Sequence, residues 1–254
     1  MSKSKLSPFT VYSVLRELRR GVGDRRPIGV AGARELVPIL ARELRSGGDA
    51  SAVVENVLHG ISALVWVGPA DEARLREASL AGVPIVAVTD ARVVPYVLAT
   101  DVVPVPPGQG FPVAPITAAL ARRLGENGTA LAARLPVIRP AVCDQLIESF
   151  ARKNALIGAA VFVPGVDMPI LTLNQIRLVL RIAVAYGEDV DNRRGPEVLG
   201  VVGAGFGFRA AARQLLDLIP VAGWAVKGGV AYTGTKAIGE AAVRYFEARA
   251  ASAA

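Results

Sequence analysis

Few side chains in this chain have the types and spacing that catalysis usually requires. A single histidine, His59, and a single cysteine, Cys143, argue against a zinc cluster or a Cys–His dyad and exclude an intrachain disulfide. The acid that stands out is Asp167, which lies inside the most apolar long stretch, residues 155–187. Its position directly before Met168-Pro169 predicts a helix N-cap. A binding or catalytic carboxylate is the alternative.

A glycine-rich stretch near Gly203 looks at first like a dinucleotide-binding turn, G-x-G-x-x-G. Gly203 and Gly205 fit the first two positions, but Phe208 occupies the third, and no later strand ends in the required acid. We therefore interpret Gly203 and Gly207 as a G-x-x-x-G pair that lets two helices approach closely, as happens in membranes especially. Gly234 is predicted to pack in the same way.

Residues 27–125 alternate short apolar runs with helical patterns, which predicts a parallel sheet covered on both faces. The pattern leaves residues 50–58 open as either strand or helix. Strands are predicted at 27–32, 63–68, 83–90 and 101–106, and helices at 33–46, 70–81, 91–98 and near 113–124.

Two arginines follow predicted strands in this region. In a parallel sheet, ligands usually bind at the carboxyl ends of the strands. Arg34 lies after the first strand, and Arg92 lies after the third. Both are candidates for binding an anion.

The stretch ISALVWVGPADEARLREASLAGVPIVAVTDAR resembles the third strand, helix and fourth strand of the small GTP-binding domain. That resemblance implies a degenerate P-loop fold over about 100 residues. The phosphate loop G-x-x-x-x-G-K-[ST] is replaced by Gly29-Val-Ala-Gly32-Ala-Arg34-Glu35, and no lysine occurs between Lys5 and Lys153. Arg92 stands where the guanine-reading carboxylate of N-K-x-D would be. These departures predict no GTP hydrolysis and no cofactor.

The C-terminal half is predicted to be helical. From Met168 to Tyr186, the polar residues share one narrow stripe, so most of that helix surface must be covered. Residues 187–197 form a charged loop, 219–229 a turn and 248–254 a frayed tail. The last helix, 230–247, is predicted to expose a charge-paired stripe of Tyr232, Lys236, Glu240, Arg244 and Glu247. Its predicted buried side is Val230, Gly234, Ala237, Ile238, Ala241 and Tyr245.

Two segments, PGVDMPILTLNQIRLVLRIAVAYG and LLDLIPVAGWAVKGGVAYTGTKAIGEAAVRYF, resemble the helical family called domain of unknown function 697. The matching positions are Pro164, Asp167, Gln175, Tyr186, Gly187, Pro220, Gly223, Thr235 and Gly239. The family often follows a GTPase domain and is often membrane-associated, so the resemblance implies both for this chain. It supplies no catalytic residues.

Composition also favours an anionic partner. Of the 254 residues, 52% are hydrophobic, and the formal net charge is +7, of which residues 1–26 carry +5. The mean hydropathy is +0.41. Residues 8–20 form a basic amphipathic pattern that predicts either a membrane-surface helix or a helix packed on the next domain. No segment is a clean membrane span, because Pro164-Gly165 and Asp167 interrupt the run 155–173.

We therefore predict three regions: a basic tail at 1–26, a degenerate GTPase-like α/β domain at 27–135 and a hydrophobic helical domain at 136–254. The predicted function is a non-catalytic pseudo-GTPase that associates with a membrane or with copies of itself. The alternative is a nucleotide- or dinucleotide-binding enzyme that uses the strand ends of 27–110 or the Gly203 region. Nucleic acid is disfavoured as a partner. The polar N-terminus lacks a signal peptide, which predicts the cytoplasmic side of the cell membrane, with the cytoplasm as the alternative.

Overall fold

The structure, a computed structural model, describes residues 25–105, 108, 110–160, 167–189 and 224–253. The chain divides into two compact units. Gly23–Gln145 forms an α/β unit, and the described part of the helical unit comes from Leu146–Ala254. The division falls inside a continuous helix, whereas the sequence pattern places the boundary between residues 135 and 136. The predicted combination of an α/β region with a parallel sheet and a helical region is confirmed.

The α/β unit is built on a five-stranded sheet in which every neighbouring pair is parallel. The strands lie in the order β2-β1-β3-β4-β5. Each residue of β3 and β4 is buried, as are four of the five in β1, which explains their unbroken apolar sequences. The strands are β1 (Ile28–Gly32), β2 (Val53–Glu55), β3 (Ala63–Val67), β4 (Ile85–Val88) and β5 (Val102–Val103).

The helices of this unit pack their apolar stripes on the sheet. Helix α1 (Val37–Arg45) buries Val37, Leu40, Ala41 and Leu44, at the spacing of one helical face. Helix α2 (Glu72–Leu80) begins after Asp71, whose side chain accepts a hydrogen bond from the Arg74 amide at 3.1 Å. Helices α3 (Val113–Leu124) and α4 (Gly128–Arg134) complete the unit.

The predicted helix at 91–98 is wrong, because the structure has turns there. Pro95 disfavours helical geometry at Val94, the residue before it. Tyr96 has a φ of 62°, in the left-handed region that a helix cannot use. The undecided segment 50–58 contains a 3-10 turn, Ala50–Ala52, followed by the edge strand β2.

A network of ion pairs and hydrogen bonds stabilises the amino-terminal side of the α/β unit. Arg134 Nε donates to Asp49 Oδ2 at 2.9 Å, and Arg134 Nη1 donates to the Arg25 carbonyl oxygen at 2.9 Å. Asp49 Oδ1 also accepts from the Ser51 amide and hydroxyl, at 2.8 and 2.7 Å. These Ser51 hydrogen bonds, together with the Arg134 guanidinium, lower the pKa of Asp49 from 3.8 to about 2.

Three helices form the described helical unit: the later part of α5 (Arg139–Ala160), α6 (Asp167–Ala185) and α7 (Trp224–Ala253). Asn154 of α5 bonds both Asn174 of α6 and Thr235 of α7. Further along α7, Phe246 stacks on Tyr186, which follows α6, with ring centroids 5.9 Å apart. These contacts make α6 and α7 run in the same direction. Helix α5 is antiparallel to α7, because Gly228 lies against Ala155 whereas Gly239 lies against Ile147.

Helix α7 differs from its prediction in length and in its buried face. It extends from Trp224 to Ala253, so the predicted turn is helical from 224 onward, and the predicted frayed tail is helical as well. Alanine-rich sequence favours that extension, and Arg249 Nε pairs with Glu188 Oε1 at 2.9 Å. The exposed stripe is confirmed at Lys236, Glu240, Arg244 and Glu247, but the buried face consists of Gly228, Thr235, Gly239, Ala242 and Phe246.

Candidate functional site

The carboxyl ends of β1 and β3 are the expected ligand site of the α/β unit. Strand β2, which follows β1 in the chain, pairs on one side of β1, whereas β3, β4 and β5 lie on its other side. The neighbouring strands β1 and β3 therefore form the switch point of the sheet. In doubly wound folds, the crevice between such strand ends is where ligands bind.

The loops after β1 and β3 lie directly against each other and fill this crevice. The Ala33 amide donates to the Val67 carbonyl oxygen at 2.8 Å. A Cβ added to Gly32 would overlap the same carbonyl group, and one added to Gly68 would lie 2.8 Å from the Ala33 Cβ. Both glycines have positive φ, 132° and 95°. Because neither glycine has a side chain, the two loops approach closely enough to close the crevice.

The connection from β1 to α1 is also too short to cradle a phosphate. It contains only residues 33–36. The Leu36 and Val37 amides donate to the Ala33 carbonyl oxygen at 3.0 and 3.1 Å, so they are engaged inside the turn. A phosphate loop instead points several such amides at its ligand.

The two predicted anion candidates are both exposed at this edge, but on strands that are not neighbours. Arg34 follows β1 and Arg92 follows β4, with β3 between them. The two strand axes are therefore about 9–10 Å apart. Thr89, at the start of the loop that carries Arg92, is buried, and its hydroxyl oxygen accepts from the Ala91 amide at 3.3 Å. This threonine thus stabilises its own turn.

The loop after β4 exposes apolar side chains that the sequence pattern did not reveal. Val93, Tyr96 and Leu98 are all exposed within residues 91–98. The predicted helix would have hidden some of them, and only the turn geometry brings them outward together.

The helical unit contains a buried polar layer that joins its three helices. Asn154 and Thr235 are fully buried. The Asn154 side-chain amide donates to the Thr235 hydroxyl at 2.8 Å, and the Asn174 amide donates to Asn154 Oδ1 at 2.8 Å. Arg177 extends the layer, because its guanidinium donates to Asn174 Oδ1 at 3.4 Å. The polar stripe predicted on α6 therefore faces the interior.

A second polar cluster lies at the surface of the same unit. The Tyr232 hydroxyl donates to Glu148 Oε2 at 2.7 Å, and Arg152 Nε donates to Glu148 Oε1 at 2.7 Å. The Tyr232 hydrogen bond, followed by that of Arg152, lowers the pKa of Glu148. The same bond to Glu148 raises the pKa of Tyr232. This carboxylate is therefore an acceptor in a structural cluster and is poorly suited to act as a base.

Beyond the polar layer, none of the described side chains of the three helices, at 155–159, 170–173 and 228–234, is charged. Leu156 on α5 is 71% exposed, and Ile170 on α6 is 46% exposed. The opposite end carries the Glu188–Arg249 ion pair and the hydrogen bond from Tyr186 to Glu247. The unit is thus polarised between an apolar end and a charged end. Within the described residues, no helix has the length and apolar content that crossing a membrane requires.

The remaining predicted residues are distributed as follows. Helix α6 begins at Asp167, but the side chain of Asp167 lies outside the described part, so its capping bond stays a prediction. Gly203 and Gly207 also lie outside the described residues. Gly234 requires a correction, because a Cβ there would meet no described atom within 4 Å, whereas a Cβ on Gly239 would lie 2.5 Å from Ile147 Cγ1. Among the described side chains, no group of three potential ligands could hold a metal ion.

In comparisons with known proteins, no family model, curated protein or solved structure matches this chain.

Proposed function

We propose that this protein is a non-catalytic, membrane-associated protein in which the helical unit binds the membrane. The observation that carries the proposal is the polarised helical unit, whose apolar end exposes Leu156 and Ile170 to solvent. Transfer of large aliphatic side chains from water to an apolar environment is favourable. Such side chains grouped at one exposed end of a small helical unit therefore mark an interaction surface. A bilayer offers such an environment, and the resemblance to a membrane-associated helical family supports the same assignment.

The α/β unit is, in this proposal, a degenerate GTPase-like domain that does not hydrolyse nucleotides. Its filled crevice and its short loop after β1 support this, since neither leaves room for a phosphate chain against backbone amides. The missing P-loop lysine removes the cation that would neutralise the β- and γ-phosphates.

The proposal is tested by fractionating the native protein between cytosol and membrane, with and without high salt. We expect membrane association that high salt weakens but does not abolish, because burial of apolar side chains is not screened by salt. Recovery entirely in the cytosolic fraction under both conditions would refute membrane association.

The alternative enzyme function is tested by isothermal titration with GTP, ATP, NAD and NADP. We expect no binding in the micromolar range. Magnesium-dependent turnover of GTP that is abolished by Arg34→Ala or Arg92→Ala would refute the assignment of a non-catalytic α/β unit.

A further inference from the structure

The apolar end of the helical unit is formed by parts of all three helices that lie beyond one common level. The hydrogen bonds of Asn154 with Asn174 and Thr235 mark a common level on α5, α6 and α7. Beyond it, Gly228 of α7 packs on α5, where a Cβ would lie 3.1 Å from the Ala155 carbonyl oxygen and 3.4 Å from the Ala159 Cβ. These parts of the three helices therefore form a single surface, which we call the apolar cap: residues 155–159, 170–173 and 228–234.

The depth of the apolar cap matches the depth to which interfacial helices insert. At a rise of about 1.5 Å per residue, the described side chains reach beyond the polar layer by about 8 Å on α5, about 6 Å on α6 and about 10 Å on α7. Helices that lie in a membrane interface bury their apolar surface by about 5–10 Å. None of the residues of the cap is charged.

Three cations of α5 and α7 lie at the base of the apolar cap. Arg152, Lys153 and Lys236 are exposed there, within about one helical turn of the polar layer. The one carboxylate among them, Glu148, is held by Tyr232 and Arg152. The next acid on α7, Glu240, is one turn further from the cap, and α6 has none between Asp167 and Glu188. This basic collar of Arg152, Lys153 and Lys236 would meet the headgroups when the cap is immersed.

We propose that the apolar cap inserts into the interface of an anionic bilayer and that the basic collar binds the phosphate and carboxylate groups of its lipids. The inference rests on the proposed membrane association and adds the surface, the depth and the lipid class. Each lysine or arginine near an anionic surface contributes on the order of a fivefold gain in partitioning. Transfer of an exposed leucine from water to an apolar phase contributes roughly tenfold or more.

The test measures partitioning of the full chain on vesicles of phosphatidylcholine alone and of phosphatidylcholine mixed with phosphatidylserine. We expect stronger binding to the mixed vesicles. The double variant Leu156→Ser/Ile170→Ser should bind at least about tenfold more weakly. The matched control is Leu80→Ser, because Leu80 is 79% exposed on the α/β unit; it should bind like wild type.

Two matched charge-reversal variants on α7 test the basic collar. Lys236→Glu should lower partitioning on the mixed vesicles at least about fivefold and leave weak binding to neutral vesicles unchanged. Arg244→Glu makes the same charge change on an equally exposed residue two turns further from the cap. It should have the smaller effect. Equal effects of the two variants would refute the collar.

Insertion is separated from surface binding by a fluorophore on Leu156→Cys, with the buried Cys143 left in place. Lipids that carry a quencher on their acyl chains should quench this fluorophore, and they should not quench one placed on Ala248→Cys.

If vesicles bind but Leu156 is not quenched and Leu156→Ser/Ile170→Ser binds normally, the cap is not the binding surface, while membrane association by another segment stands. If the native protein fractionates with the cytosol, the proposed function fails as well. If the double variant instead loses oligomer mass without vesicles, the cap is an interface between copies of this chain, and the lipid proposal is overturned.

Discussion

Two glycines of α7 offer a direct measure of how tightly the three helices pack. Gly239→Ala places a Cβ 2.5 Å from Ile147 Cγ1 and 3.2 Å from Leu178 Cδ2. Both neighbours are buried, so neither side chain can move away without disturbing other contacts. Gly234→Ala is the matched control, because it makes the same change five residues earlier in the same helix, where a Cβ meets no described atom within 4 Å.

The expected magnitudes follow from two opposing effects. Replacement of glycine by alanine inside a helix stabilises by about 1 kcal/mol, and this gain is common to both variants. Overpacking at Gly239 costs about 1–3 kcal/mol, and nothing opposes the gain at Gly234. The difference between the two variants is therefore about 1–3 kcal/mol in the free energy of unfolding, with Gly234→Ala more stable than wild type.

Urea titration followed by circular dichroism measures this difference. For an m-value of about 2–3 kcal/mol/M, the two midpoints should differ by roughly 0.3–1.5 M. Equal midpoints would mean that the face around Gly239 is not tightly packed. A lower midpoint for Gly234→Ala than for Gly239→Ala would reverse the assignment of the two faces and support the buried side predicted from sequence.

Three further changes have expected outcomes. Asp49→Asn removes a carboxylate whose pKa is lowered from 3.8 to about 2 in the folded protein; the stability that this group contributes is complete above about pH 4 and is lost as the pH falls through about 2. Thermal melts should therefore show wild type above the variant at pH 7, with the two converging near pH 2, and a constant gap would contradict this. Asn154→Ala removes the donor to the buried Thr235 hydroxyl and the acceptor of the part-buried Asn174 amide, and it should cost about 1–3 kcal/mol; an unchanged urea midpoint would show that the layer is not stabilising. Arg244→Ala, on the exposed stripe of α7, should change stability by no more than about 0.5 kcal/mol, and a larger loss in the same titration would place Arg244 in an internal network.

The sheet could be predicted from sequence because its central strands are covered on both faces. Strands β1, β3 and β4 are continuous apolar runs bounded by turns, and no helix of comparable length fits them. The edge strand β2 has only three residues, which is too short for any periodic signal. The strand order, and therefore the closure of the crevice by Gly32 and Gly68, depends on pairing between distant residues, which local patterns do not contain.

The predicted buried face of α7 is wrong for a different reason. Glycine, alanine and threonine occur all around this helix, so hydrophobic contrast between its sides is weak. The buried face includes Thr235, whose burial is tolerated because Asn154 donates to it and because its own hydroxyl donates to the Ala231 carbonyl oxygen at 2.7 Å. The burial of Thr235 depends on a partner, Asn154, that lies on another helix. The pattern of a single helix does not contain this partner and places such a threonine at the surface.

The polar layer gives the apolar cap its shape. Helices with small and aliphatic surfaces can pack in several registers that differ by one turn, about 5.4 Å along the axis, with similar apolar burial. Asn154, Asn174 and Thr235 distinguish these registers, because a slip of any one helix would bury amide or hydroxyl groups without partners at a cost of about 1–3 kcal/mol each. Buried asparagines fix register in coiled coils in the same way. The layer therefore fixes how far each helix extends into the apolar cap.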